Sequence, residues 1–542
     1  MKRKWLKRTL AAIMSAATAL MCAACLAGTA PEALAYTNPT TTLKIGLYYG
    51  NDALASANLE NHIGSGYTFG YYDAQREFHA VGETDETKLT MLKDWNMYLS
   101  GSSYYDAVPG STYDVIGCYH IRLEQTFADF AAAKTAAAAY SDAFPAYHNG
   151  TWYVCVGSYT SQSGAETARS ERGLSGTAMT ASSSCVTVVA TGSTRILFQF
   201  DYGTSASLAV KARADSSGAG TQTWFKGYKY YGAFQYTRQS GGNMTVINVV
   251  DIEDYIKGVV PYEMNTAWPL EALKAQAICA RTYAAAHING HKSYGFDLCR
   301  TTCCQAYYGT NSAGEGSNRA VEETKGMYIT YDGELCQIFY ASSDGGATED
   351  SENVFNEALP YLRGVIDPYE QYVDTGRSSW TYTYTSAEIT SILQAKGYKC
   401  SDIVSITPTY TKLGNIYSLK FTDSKGKNWT FSKYSASTIL YSPTYSKYTY
   451  SMRFTINAEG QGGGSPIYVN GASTIENVSE IYAVGSGGVV EAVDGLGGIS
   501  VISSSGVETI TGATGGSGGV ISADKYVVSG SGWGHNVGMS QY

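Results

Sequence analysis

Basic residues are scarce in this sequence. There are 38 Lys and Arg against 47 Asp and Glu in 542 residues, a formal net charge of −9. A nucleic-acid partner is met by a positive surface, so this balance argues against one. Long apolar runs are equally rare, and beyond the first 35 residues no segment is apolar enough to cross a bilayer. Cysteine is sparse, 11 in all, and dispersed except at Cys299, Cys303 and Cys304. That excludes a disulfide scaffold. With Cys22 and Cys25 set aside in the N-terminal leader, the remaining number is odd, which points to a metal site or free thiols. No internal repeat is convincing, and no G-x-S-x-G elbow is present to make a serine nucleophile of Ser343 with His535.

The N-terminus carries what the remainder lacks. Met1-Lys-Arg-Lys-Trp-Leu-Lys-Arg8 precedes an apolar run from Leu10 to Leu26 and a small-residue site, Ala33-Leu34-Ala35. A basic region, an apolar region and an A-x-A-like site read as a secretory signal peptide over 1–35. The expectation is an exported protein with a mature N-terminus near Tyr36; the alternative, a membrane anchor, is short for a span and rich in Ala, Ser and Thr. The length predicts two to four domains. Tyrosine is abundant at 46, and with many Gly, Ser and Thr it indicates β-rich surfaces with rings suited to sugar faces.

Thr42–Tyr49 alternates like a strand, and Gly-rich polar connections follow to about residue 114. From 115 to 190 the pattern changes. An alternating run, Val115–Leu123, precedes an Ala-rich helix, Thr126–Tyr140, with Thr126 as its cap. Asn149-Gly150 signals a hairpin into Trp152–Val156; a second helix near Gly164–Arg172 leads to a strand at Cys185–Ala190. This βαββαβ pattern, with "FPAYHNGTWYVCVGSY", resembles a SPOR domain, a resemblance that implies binding of glycan stripped of its stem peptides. A generic α+β insert is the alternative. Residues 191–542 hold strand-like segments, a helix from about Pro269 to Asn289, and glycine-rich connections at Gly460–Gly464 and Gly512–Gly519. The last residues, "SGWGHNVGMSQY", read as a motif cut short.

The segment Asp251–Arg281 reads "DIEDYIKGVVPYEMNTAWPLEALKAQAICAR". It resembles the signature of the stage II sporulation protein D (SpoIID/LytB) family, in which a strand and turn bearing Pro-x-Glu-Met lead into a long helix. Further blocks in the family's order are "FDLCRTTCCQAYYG", "YASSDGGATED", "PYLRGVIDPYE" and "GWGHNVGMSQ". The resemblance implies an α+β, β-dominated SpoIID-type domain split by the SPOR-like insert. It further implies a secreted peptidoglycan lytic transglycosylase, with Glu263 as catalytic acid. One carboxyl suffices when the sugar's own 6-hydroxyl attacks its anomeric carbon, because the same group donates a proton and later takes one back. A hydrolase needs two carboxyls, and Glu349, Asp350 and Glu352 would be the first candidates for the second. Apolar Val259, Val260, Met264 and Trp268 are placed to raise the Glu263 pKa. The plainer alternative pairs Glu263 with Arg281, seven residues on from Lys274 and on the same helix side. The resemblance otherwise has Arg281 orient Glu263 or grip substrate.

Cys299-x-x-x-Cys303-Cys304 reads as a set of soft-metal ligands, with zinc favoured when thiolate and imidazole combine. The family commonly has Cys-x-x-x-His-Cys here, so Cys303 stands at the His position. His291, eight residues before Cys299, is the natural fourth ligand, with His287 behind it. The site would be closed and structural, positioning the loop that carries Gln305 and Tyr307. A disulfide from Cys299 plus a free thiol is the alternative for an exported protein. Ser342, Ser343 and the glycines of "SSDGGATE" suit close backbone approach and sugar contacts. Ala341 and Phe355 depart from the family's His and Trp, and Asn536 from a usual Gly. The expected partners are peptidoglycan glycan strands and a cell-wall amidase. The rival to the enzyme is a LytB-like amidase enhancer that cuts nothing itself.

Overall fold

The computed structural model describes residues 40–459, apart from 111, 219–221, 239–240, 373–375 and 377. It also describes the strands Ile467–Val469, Ser473–Ile475, Ile499–Ser503 and Gly506–Ile510, and residues 519–542. The expected signal peptide and the glycine-rich stretches at 460–464 and 512–518 lie outside the described residues. Among the described residues no helix is long and apolar enough to cross a membrane.

The chain is α+β and β-dominated. One seven-stranded sheet runs in the order Leu298–Cys299, Thr42–Tyr48, Met244–Asp251, Ala233–Arg238, Leu208–Ala212, Tyr67–Tyr72, Phe78–Thr84. The first strand pairs antiparallel with a strand far along the chain, Leu43 opposite Val250 and Ile45 opposite Asn248. Thus the segment expected as a first strand is an interior strand of the host sheet. Leu43, Ile45 and Leu47 point from it into the main core, with Tyr255, Val259, Leu273 and Ala277 from the helices below. A second core, built on Trp380, Tyr384, Ile389, Phe421, Phe454 and Tyr526, holds the C-terminal lobe.

The insert is one end of a ten-stranded sheet. Its elements are β1 (Tyr119–Phe127), α1 (Phe130–Ala137), β2 (Ala143–His148), β3 (Thr151–Tyr159), α2 (Gln162–Glu171) and β4 (Gly176–Ala178). The strand order is β4-β1-β3-β2, every pair antiparallel, a split βαβ topology. Ile121, Ala137, Val154, Val156, Ala165 and Leu174 form its own small core. Its boundaries differ from those read in the sequence. Thr126 lies in β1 opposite Tyr153, and the cap of α1 is Asp129, whose side chain accepts from the Ala132 N–H at 2.8 Å. The closing strand is β4, not Cys185–Ala190. Val186–Ala190 is buried at every position, as a strand covered on both faces must be, and it pairs with host strands Lys88–Lys93 and Ile196–Asp201. The insert does not stand apart from the host, since β2 runs parallel to Ile196–Asp201 in the same sheet.

The strand and turn expected over the Pro-x-Glu-Met segment are instead a helix, α3 (Ile252–Glu263). Asp251 caps it, accepting from the Glu253 N–H at 2.9 Å, and Ile252, Tyr255, Ile256, Val259 and Val260 bury one face. Pro261 sits in its last turn, where the helix ends two residues later. Next come α4 (Leu270–Ala286) and α5 (Glu315–Glu323), both packed against α3.

Candidate functional site

Glu263 is the last residue of α3, so its side chain leaves the helix where it meets the loop 304–308. Its Oε1 accepts from the Ala306 N–H at 3.3 Å, and its Oε2 accepts from Gln541 Nε2 at 3.4 Å. The Tyr340 hydroxyl also donates to it. Burial raises the Glu263 pKa above the ordinary carboxyl value, and these three donors oppose the rise without cancelling it. The donors are themselves held. Gln305 Nε2 donates to the Tyr340 hydroxyl at 3.1 Å, the Tyr255 hydroxyl donates to Gln305 Oε1 at 3.2 Å, and Gln541 Nε2 also donates to Gln276 Oε1 at 3.2 Å. Aromatic residues adjoin Glu263 and Gln541 along the chain, Tyr262 before the one and Tyr542 after the other. Trp268 and Tyr542 meet edge to face at 4.6 Å, and Tyr262 and Tyr308 at 5.4 Å.

Gln541, Tyr340 and Gln276 carry no role in the sequence reading. Residues 339–343 and the C-terminal segment lie side by side, with Tyr340 parallel to Met539 and Ala341 to Ser540. That pairing delivers Gln541 to a carboxyl 278 residues earlier. The only signal was membership of two motif blocks, which says nothing about their adjacency.

Three assignments change. Arg281 is fully buried and does not reach Glu263: its Nε and Nη2 donate to Glu253 at 3.0 and 2.7 Å, and further bonds go to the Val321 and Met327 carbonyls. It ties α3 and α4 to the turn after α5, because a buried guanidinium takes the nearest carboxylate and carbonyls that neutralise it. Tyr307 is equally buried; its hydroxyl donates to Asn248 Oδ1 at 2.8 Å, and its ring lies against Gly258, where an added Cβ would overlap it. It is a packing residue. Ser343 is buried and donates to Glu370, so it offers no hydroxyl to a sugar. Gln305 is buried too, one hydrogen bond behind Tyr340, while Ser342 is half-buried on the segment beside the C-terminus. Lys274 pairs at the surface with Glu271 and Glu323.

The Cys cluster is drawn together from two turns. Cys299 ends the short strand beside Ile45–Gly46, and a tight turn brings back Cys303 and Cys304. His291 follows α4 and is anchored through buried Asp297, which takes a forked pair of bonds from Arg76 at 2.5 and 2.7 Å. One ring nitrogen of His291 and the sulfurs of Cys299, Cys303 and Cys304 all lie within 4.8 Å of one another, with His291 Nε2 at 3.2 Å from Cys304 Sγ. All three thiols are free. A hydrogen bond from Cys304 pulls the Cys299 pKa below the ordinary thiol value. Three sulfurs and one imidazole at this spacing fit a tetrahedral zinc. His287 faces elsewhere, stacked on Tyr283 at 4.0 Å.

The carboxylates considered as second groups are engaged. Glu349 accepts from Thr411 and Asn415 at 2.6 and 2.8 Å; Glu352, paired with Arg363, is held down at about 2; Asp350 accepts from the Gly364 N–H at 2.7 Å. His535, edge-on to the stacked rings of Phe339 and Phe355, is pushed down to about 4 by burial and stays neutral. Gly345 has φ +70, and a Cβ there would meet the Ser531 backbone at 2.6 Å, which accounts for the glycine beside Asp344. A separate open groove lined by Glu60, His62, Tyr105, Trp224 and Lys226 contains none of the predicted site residues.

Residues 240–331 match the model of the SpoIID family, stage II sporulation protein. An uncharacterized protein of Brachyspira hyodysenteriae (strain ATCC 49526 / WA1) is 43% identical over 26% of this chain and 38% of its own length. The amidase enhancer of Bacillus subtilis (strain 168) is 28% identical over 53% of this chain and 36% of its own length. Stage II sporulation protein D of the same organism is 29% identical over 30% of this chain and 52% of its own length. The matches thus span about a third to a half of these relatives.

Proposed function

We infer that this chain, which belongs to the SpoIID family through residues 240–331, is an exported cell-wall protein that cuts peptidoglycan glycan strands as a lytic transglycosylase. The observation that carries this reading is the Glu263 carboxyl. It is half-buried, has a raised pKa, and is held by the Ala306 N–H, Tyr340 and Gln541, while Tyr262 and Tyr542 adjoin Glu263 and Gln541 in the chain. A single acid–base group of this kind suits an attack by the substrate's own hydroxyl. The βαββαβ insert supplies a second glycan contact. A second reading has one specific support, the match of 298 residues to an amidase enhancer. Under it the same surface holds glycan for a cell-wall amidase. Mass spectrometry of peptide-free glycan incubated with the protein separates the two. Fragments ending in 1,6-anhydro sugar are expected; no fragments, with faster turnover by an added amidase, would replace the enzyme by the enhancer.

The cofactor of this reading is one structural zinc held by His291, Cys299, Cys303 and Cys304. With four protein ligands the site is closed, and its role is to hold the loop that leads to Ala306. Elemental analysis is expected to find about one zinc per chain, since ligand count and spacing suit a closed tetrahedral site. A strong chelator should lower the unfolding temperature by several degrees, because metal binding to such a site is coupled to folding. Metal-free protein with an unchanged melt would remove zinc from the account.

A further inference from the structure

We propose that Asp344, Asp367 and Glu370 form a second metal site, for a hard divalent cation of the calcium or magnesium class. One carboxylate oxygen from each lies within 4.8 Å of the others. Asp344 and Glu370 are buried, 1% and 6% exposed, while Asp367 is half-buried and opens the cluster to solvent. Three carboxylates gathered out of water repel one another unless a cation or a proton lies between them. Arg453, a positive group that acts on Asp344, is itself buried and donates to the Leu413 carbonyl; it makes no ion pair within 4.0 Å of any of the three among the described residues.

A second observation is independent of the clustering. Asp344 Oδ1 accepts from the Gly346 N–H at 2.7 Å, but Asp344 Oδ2 is buried with no hydrogen-bond partner. A buried carboxylate oxygen left without a donor is costly, and a cation would satisfy it. The donors are all oxygens, and the hydroxyls of Ser343 and Ser540 flank Glu370, so the set favours calcium or magnesium over the softer metal suited to the thiol cluster.

The site would also act on the C-terminal segment. Glu370 accepts from Ser540 Oγ at 3.1 Å, and Ser540 Oγ accepts from the Asp344 N–H at 3.3 Å. Ser540 precedes Gln541, the donor to Glu263. A cation here would fasten the strand carrying Gln541 to the loop 342–346. Its binding does not depend on which function the Glu263 carboxyl serves.

Calorimetry and thermal melts of the full chain, with its thiol site metal-loaded, test this with calcium chloride and, separately, magnesium chloride. The expected result is about one calcium or magnesium ion per chain at a site of this class, with an unfolding temperature that rises as the ion is added. Asp367→Asn changes a half-buried side chain and should keep the fold while weakening binding by about tenfold or more, the loss of one charged ligand. Asp344→Asn separates a cation from a shared proton. With a cation site, the metal-free variant melts as high as wild type or higher, and the rise with calcium is lost. Equal metal-dependent rises in wild type and in Asp344→Asn would overturn the proposal, as would a wild-type chain that binds neither ion.

Discussion

Glu263→Gln is expected to abolish release of 1,6-anhydro-ended fragments from peptide-free glycan while leaving the fold and glycan binding intact. Gln keeps the volume and an acceptor for the Ala306 N–H, but it can neither give nor recover a proton. Losing acid–base help of this kind costs about 10²–10⁴-fold in rate. The variant should melt no lower than wild type, since burial already disfavours the charged carboxyl it replaces. The pH dependence follows in sign. The acid must carry its proton, and burial raises the Glu263 pKa. The alkaline limb of kcat/KM should therefore fall only as pH climbs past a value above that of a free glutamate, and the variant's residual rate should lack that limb. A variant that retains a tenth of wild-type rate would dismiss Glu263 as the acid. Reducing ends made by hydrolysis would require a second carboxylate, and the bonds that hold Glu349, Asp350 and Glu352 make none of them free to serve without rearrangement.

Arg281→Ala should do the opposite, damaging the fold and sparing the chemistry. The guanidinium is fully buried and forked onto Glu253, so its removal leaves a largely buried carboxylate with the Gly326 N–H as its remaining donor beside the space the guanidinium filled. Breaking one partner of such a pair costs about 3–5 kcal/mol. At a urea m-value near 2 kcal/mol/M, the midpoint for the transition that includes α3–α5 should fall by roughly 2 M. Arg281→Lys should recover little, since a single ammonium cannot repeat the forked contact and the bonds to Val321 and Met327. Pairing Arg281→Met with Glu253→Gln should restore much of the loss, because no unpaired charge remains. Activity per folded molecule should stay close to wild type in all three. A large fall in kcat at unchanged stability would return Arg281 to the site.

The contrast between these two residues shows where the sequence was legible. α4 was readable as a helix behind a proline, with boundaries within a few residues of those expected, but its core face was not: Ala272, Ala275 and Ile278 were expected to face the core with Cys279, whereas Leu273, Gln276, Ala277 and Ala280 are buried beside Cys279 and Ala275 is exposed. α3 was expected as strand and turn from the family resemblance, although the apolar positions from Ile252 to Val260 recur at helical spacing and Pro261 falls only in the last turn. In the insert the order of elements was visible, yet its end was not. Val186–Ala190 looks like any short apolar strand until its two neighbours are known.

The sequence by itself determined the residue types and local spacings: a β-dominated chain, a glutamate two residues after a proline, three cysteines within six positions, and a histidine eight residues before the first of them. Those are properties of neighbours along the chain, where spacing translates directly into proximity. Only the tertiary structure decided which distant groups meet. The parallel pairing of Tyr340–Ala341 with Met539–Ser540 sets Gln541 on Glu263, the packing of α3 against α4 gives Arg281 to Glu253, and the return of the chain at 367–370 brings Asp367 and Glu370 to Asp344. Such contacts follow from strand pairing and core packing across hundreds of residues, and a spacing within one segment holds no record of them.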